Sequence, residues 1–300
     1  MRSFVPMLAT CFVLAAWPVL AQEAGGAASD TNMEISKEKI GQGALAQEGE
    51  AGNSNTDLAK QVQNPVADLI SLPFQNNMSF GLGPNNRMQN VLNIQPVVPL
   101  HLTKDWNLIT RTIAPIIKQP DIRTTDEDTW GLGDLNVSAF LSPSKSGAVT
   151  WGVGPALVLP TGTDHAVSQR QWAAGPSAVV LMQSGPWVLG ALVQNVWSFA
   201  GSQNRPDVKQ FLGQYFINYN LPDGWYLTSA PIITANWEAG SGNKWTVPIG
   251  GGFGKVFRVG KLPINAGFSA FANVVRPDNG PDWSLRFQIA FLFPKSLFSK

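Results

Sequence analysis

The stretch W-S-L-R-F-Q-I-A-F-L-F, Trp283 to Phe293, carries two unlike sets of residues at a period of two. Trp283, Leu285, Phe287, Ile289, Phe291 and Phe293 are large and apolar, and between them stand Ser284, Arg286, Gln288, Ala290 and Leu292. Successive side chains leave a pleated strand on opposite faces, so this alternation predicts a β-strand with one greasy and one mixed face. Such a strand fits a soluble sandwich, or a transmembrane barrel whose polar face lines the lumen. The rest of the chain has to separate the two.

Composition favours the barrel. Of the 300 residues 14% are charged and 44% hydrophobic, with 29 Gly, 22 Pro and 11 Trp. Beyond the N-terminus no run of about 18 apolar residues occurs that would make a membrane-crossing helix. A charge-poor chain without helical spans suits a barrel, which spreads its apolar signal over alternate positions.

Residues 1–21 read as a secretory signal peptide. Arg2 supplies the positive start, Phe4 to Leu20 the apolar core, and Val19-Leu20-Ala21 a small-residue cleavage site. Cys11, the single cysteine, lies inside this segment, so the chain expected from Gln22 onward has neither disulfides nor cysteine-bound metal. It would also be balanced in charge, which argues against nucleic acid as a partner.

Residues 22–56, rich in Gly, Ala, Ser, Glu and Gln, read as an acidic disordered arm. In 57–71, Leu58, Val62, Val66 and Leu69 recur at helical spacing, and Asn64-Pro65 reads as an N-cap followed by Pro at the first helical position. Two short helical turns broken at that point are expected, either plugging the periplasmic mouth of a barrel or lying against it. Residues 72–295 would form the barrel and 296–300 a tail.

From Leu72 onward twelve alternating segments can be marked, at about 73–82, 88–101, 106–117, 130–141, 148–160, 172–183, 187–199, 210–220, 225–237, 245–257, 262–274 and 283–293. Short connections alternate with long ones, as in antiparallel up-and-down barrels of the outer membrane. Ten tryptophans remain after Trp17 of the signal, and all fall near expected strand ends. Trp106, Trp151, Trp187 and Trp225 lie beside short turns; Trp130, Trp172, Trp197, Trp237, Trp245 and Trp283 lie beside long loops. Two aromatic girdles at the membrane surfaces follow from that placement. The expected fold is therefore an all-β transmembrane barrel of about twelve strands, preceded by a short helical segment.

If the large apolar parity meets lipid, the other parity lines the lumen. It holds Gln75 and Asn77, Gln95, Asp134 and Asn136, Gln214 and Asn218, and Arg286 with Gln288. Arg111 shares a face with Asn107, and a symmetric closure of loop 118–129 would set it opposite Asn136 and diagonal to Asp134, within reach of a pairing. Arg111 and Arg286 are the expected constriction, mildly repelling cations. Structural neutralisation is the competing role for both.

Several segments also resemble a known family. N-P-V-A-D-L-I-S-L-P-F-Q-N-N (64–77), W-G-L-G-D-L (130–135), W-G-V-G-P-A-L-V-L-P-T (151–161), A-G-P-S (174–177), N-Y-N-L-P-D-G-W-Y (218–226) and V-V-R-P-D-N-G-P-D-W-S-L-R-F-Q-I-A-F-L-F-P-K (274–295) look like the bacterial outer-membrane barrels labelled "transporter" or, misleadingly, "neuromedin U". A more distant similarity runs to barrels of phenol-degradation (MetA-pathway) operons, through the G-L-G-D pattern. The resemblance, over about residues 58 to 295, implies the outer membrane of a Gram-negative cell envelope and porin-like transport, with outer-membrane lipids and the barrel-assembly machinery as partners. The aromatic read in assembly would be Phe293 or Phe298, since Pro294 to Lys300 follow the last strand.

Signs of an enzyme are weak. The two histidines, His101 and His165, have no G-x-S-x-G partner motif, and Gly131-x-Gly133 and Gly250 to Gly254 lack the following helix of a phosphate loop. No catalytic residue, cofactor or metal is expected. Asp164 with His165, and Asp126-Glu127-Asp128, read as solvated loops before they read as cation sites. The expectation is a channel for passive passage of small neutral or hydrophobic solutes. A plugged, non-conducting barrel with a structural or surface role is the alternative, and an outer-membrane lipid hydrolase the third reading.

Overall fold

The computed structural model describes residues 55–122, 127–145 and 147–293. The expected signal, nearly all of the arm, Asp126, and Phe298 with the tail lie outside them. A helix, α1 (Asn55–Val62), precedes fifteen β segments. These are β1 (Ile70–Leu82), β2 (Arg87–Ile94), β3 (Val97–His101), β4 (Trp106–Pro120), β5 (Asp128–Leu132), β6 (Leu135–Pro143), β7 (Val149–Leu159) and β8 (Gln171–Ser184). There follow β9 (Trp187–Gly201), β10 (Lys209–Asn220), β11 (Trp225–Ser229), β12 (Ile232–Asn236), β13 (Trp245–Val259), β14 (Leu262–Val275) and β15 (Trp283–Phe293).

Together they form a closed antiparallel barrel of twelve strands. Neighbours in sequence pair throughout, and β15 returns to β1 from Ile70↔Phe293 to Phe80↔Trp283. Closure leaves no open edge, which is what a sheet needs when no water is present to satisfy unpaired backbone groups.

Three of the twelve strands are split, each for a local reason. Pro96, between β2 and β3, and Pro231, between β11 and β12, have no N–H to give the ladder. The pairing on either side keeps the same register. Between β5 and β6 the register does slip. From Ile116↔Leu132 to Ile113↔Asn136, three steps along β4 match four along its partner, so a bulge lies at Gly133-Asp134. A further irregularity sets two Gly-Pro pairs together: Pro155 of β7 stands opposite Pro176 of β8.

The connections are short at one end of the barrel and longer at the other, apart from the tight turn 83–86 on the longer side. All ten tryptophans stand exposed at the strand ends, and Phe287 and Ile289 are 43% and 49% exposed at mid-strand. Inside, apolar and polar side chains are interspersed. The wall β6–β9 contributes Phe140, Val179, Leu181, Val188, Leu192 and Val196, all buried, with Ser138, Ser142, Ser177 and Gln194 buried among them. The opposite wall contributes Gln75, Gln95, Asn218, Asn265 and Ser269 together with Tyr226, Val256, Phe271, Ala290 and Leu292.

The N-terminal segment fills the short-turn end from within. Leu58 and Ala59 of α1 are fully buried among Tyr226, Val256, Ala290 and Leu292, and Leu69 joins that cluster. The expected second helical segment is reduced to a single turn: Asn64 Oδ1 accepts the backbone N–H of Val66 at 3.0 Å, as an N-cap does, and Ala67 N–H reaches the Asn64 carbonyl at 3.1 Å, but no helix follows and residues 63–69 run as turns into β1. Val66 packs on the far wall with Ile109, Phe140, Val179, Leu192 and Phe216, while Leu69 packs beside α1. A helix would have stacked these two side chains on one face, whereas the irregular chain reaches both walls.

A plugged lumen as the candidate functional site

Directly above this plug is a cavity of ≈ 190 Å³. Residues 61–65 form its floor, and Gln75, Gln95, Arg111, Gln214, Asn218, Arg286 and Gln288 line its wall. Seven of the ten sequence-nominated lumen residues thus meet at one place.

Arg286 is held by three groups. It lies directly opposite Asn77 across the closing seam, and its Nε donates to Asn77 Oδ1 at 3.0 Å. Its Nη1 donates to the Ala230 carbonyl at 2.8 Å, and its guanidinium lies 4.8 Å from the centre of the Phe271 ring. Reaching Ala230 takes the side chain past β14 and β13, whose inward positions here include Gly250, Gly252 and Gly254. The Ala230 carbonyl also accepts from Gln214 Nε2 at 3.1 Å. Pro231 breaks the ladder just beyond it, so this carbonyl serves side chains inside the barrel.

Arg111 donates from Nη2 to Gln95 Oε1 at 2.7 Å. Gln95 in turn sits at the Pro96 break, its backbone N–H bound to the Pro73 carbonyl at 2.8 Å. Gln75 Nε2 donates to the same Asn77 Oδ1 that Arg286 uses, at 3.2 Å. The amide oxygens of Asn77 and Gln95 are therefore committed to cations. Among the described residues no carboxylate forms an ion pair with Arg111 or Arg286, and no acidic side chain lines the cavity.

The expected pairing of Arg111 with Asp134 does not occur. Arg111 stands opposite Ser138, because β4 extends to Pro120↔Asp128 and the Gly133 bulge adds one more residue of slip. Asn136 contacts Ser138, whose hydroxyl approaches Gln194 Oε1 at 3.4 Å, away from the cavity. Asp134 holds the long loop that follows β7. Its Oδ1 accepts from Gly162 N–H at 3.1 Å and Ser168 Oγ at 2.6 Å, and its Oδ2 from Gln169 N–H at 2.7 Å. Arg205 adds bonds to the carbonyls of Ser168 and His165.

The remaining chemistry-bearing residues are engaged structurally. His101 Nε2 lies 3.2 Å from Asp68 Oδ2. Asp128 is ion-paired with Arg87 at 2.7 Å and Lys118 at 2.8 Å. The sequence reading missed Gln63, Asn64, Phe216, Tyr226 and Phe271. The last three share the inward parity of Asn218, Thr228 and Ser269, a signal that was present but masked by their being aromatic. Gln63, which exchanges amide hydrogen bonds with Asn220 at 3.0 and 3.2 Å, gave no signal, since only folding brings it inside.

These features define a transmembrane β-barrel with a polar cavity bounded on one side by its buried N-terminal segment. No protein-family model and no curated protein matches the chain. Among solved structures it is similar to an outer-membrane channel from Pseudomonas putida F1, with 16% identity, a TM-score of 0.59, and coverage of 75% of this chain and 94% of that one. Weaker likenesses are to the CymD monoaromatic hydrocarbon channel (9% identity, TM-score 0.43, 84% and 94% coverage) and to outer membrane phospholipase A from Escherichia coli (12%, 0.42, 81% and 99%). At these identities the first shares the fold, and the other two are too distant in shape to carry an argument.

Proposed function

We propose that this protein is an outer-membrane channel for passive passage of small solutes, with residues 55–69 as its periplasmic plug. The observation that carries the reading is the cavity of ≈ 190 Å³, lined by amides and two arginines and floored by a segment that is not part of the wall. A barrel built only to anchor or scaffold could fill its interior with side chains from the wall alone. An outer-membrane location is supported by the exposed apolar band between two rows of tryptophan, which suits lipid. Outer-membrane lipids and the assembly machinery are the partners this location implies. Nothing in the site provides a nucleophile beside a base, so passage down a gradient is preferred over hydrolysis.

The full burial of Leu58 and Ala59 favours a second reading, a permanently closed barrel with a structural or surface role. Planar-bilayer recordings of the purified protein, with and without residues 22–69, separate the two. Higher conductance in the shortened form is expected of the channel. Absence of current in both forms would leave only the closed barrel.

A further inference from the structure

We propose that the lumen binds a small organic carboxylate, its charge held between Arg111 and Arg286 and its apolar body directed toward the plug. This rests on the lumen being the solute site.

Asn77 Oδ1 and Gln95 Oε1 are occupied by the two guanidiniums. Arg111 spends one N–H-bearing nitrogen on Gln95, and Arg286 spends two, on Asn77 and Ala230. The nitrogens left over, and the Gln95 amide nitrogen, belong to residues that line a cavity with two cations and no acidic side chain. A planar guanidinium fork matches a carboxylate in two parallel bonds.

Two cations set in a barrel interior with no anionic partner cost free energy unless something compensates them, and they also repel each other. An anion between them removes both penalties. Their side chains are fixed in advance, by Asn77, Ala230 and the Phe271 ring for Arg286 and by Gln95 for Arg111, so little ordering is left to the binding step.

On the plug side the cavity is bounded by Val62, Pro65, Ala67 and Leu69, set among Gln61, Gln63 and Asn64, with Phe216 on the wall. A bare halide would leave that apolar surface facing water, whereas a carboxylate with a hydrocarbon body covers it.

The test is isothermal titration of the full-length mature protein in detergent with benzoate, and with benzamide as its neutral near-isostere, in chloride buffer. Benzoate is expected to bind at least tenfold more tightly than benzamide. Arg286→Gln and Arg111→Gln should each weaken benzoate at least tenfold, and Arg286→Lys less than Arg286→Gln. Correct folding of each variant is checked by heat-modifiable migration. Equal binding of benzoate and benzamide by the folded wild type, or benzoate binding indifferent to both glutamine variants, overturns the proposal. Benzoate binding with no bilayer current in any form would keep the anion site and defeat the channel. Current without benzoate binding, with a reversal potential unmoved by either variant, would do the opposite.

Discussion

Arg286 on the last strand and Asn77 on the first stand directly opposite each other, with the guanidinium Nε donating to the amide oxygen at 3.0 Å. The bond crosses the seam at which the barrel closes, and its acceptor is shared with Gln75. A contact of this kind links assembly to the interior: the lumen's cation is oriented only once the ends of the sheet have met.

Asn77→Ala should therefore destabilise the barrel. It removes the acceptor of one charged and one neutral hydrogen bond, a loss of about 1.5–3 kcal/mol by the usual cost of unpairing a charged donor. Urea unfolding in lipid vesicles is the measurement. Asn77→Asp should retain the bond and most of the stability.

The two faces of β15 give a sharper contrast. Ile289, 49% exposed on the outer face, should tolerate Arg poorly, at a cost of about 2–4 kcal/mol near the bilayer midplane. Gln288, one residue away, lines the cavity, and Gln288→Glu should change stability by less than that. Folding efficiency into vesicles compares them, and equal costs would contradict the face assignment.

Plug movement can be followed with a thiol, because the only cysteine of the sequence, Cys11, lies in the expected signal. Ala59 is buried, so the thiol introduced by Ala59→Cys should resist maleimide in an otherwise unaltered chain. Val66→Asp places a carboxylate among Ile109, Phe140, Leu192 and Phe216, at a desolvation cost that should push the segment out. With both substitutions present, labelling at position 59 and bilayer conductance should rise together.

Asp134→Ala removes three hydrogen bonds that hold residues 162–169. Limited trypsin digestion should cut faster after Arg170, a residue already at φ 55°. Barrel stability should fall less than in Asn77→Ala, because the loop lies outside the strand ladder.

Gly250 tests the backbone. Its φ is +150° and the Ala270 carbonyl occupies the place of a Cβ, so Gly250→Val should cost about 1–3 kcal/mol, read as lost heat-modifiable migration.

Sequence by itself determined the strand number, most strand ends, the closing seam and the positions of the ten tryptophans. These follow from alternation and turn composition, which are local and repeat along the chain. Arg286 beside Gln75 and Asn77 was legible for the same reason, since it needs only two parities and a seam. The partner of Arg111 was not. It depends on where β4 ends and on one extra residue at Gly133, and each single-residue slip moves every later pair. Tertiary structure also decided that residues 55–69 sit inside the barrel. Their apolar spacing fits a helix packed anywhere, and only the closed barrel, which brings Tyr226, Val256 and Leu292 round Leu58 and brings Phe140 and Leu192 to Val66, turns that spacing into a floor for the cavity.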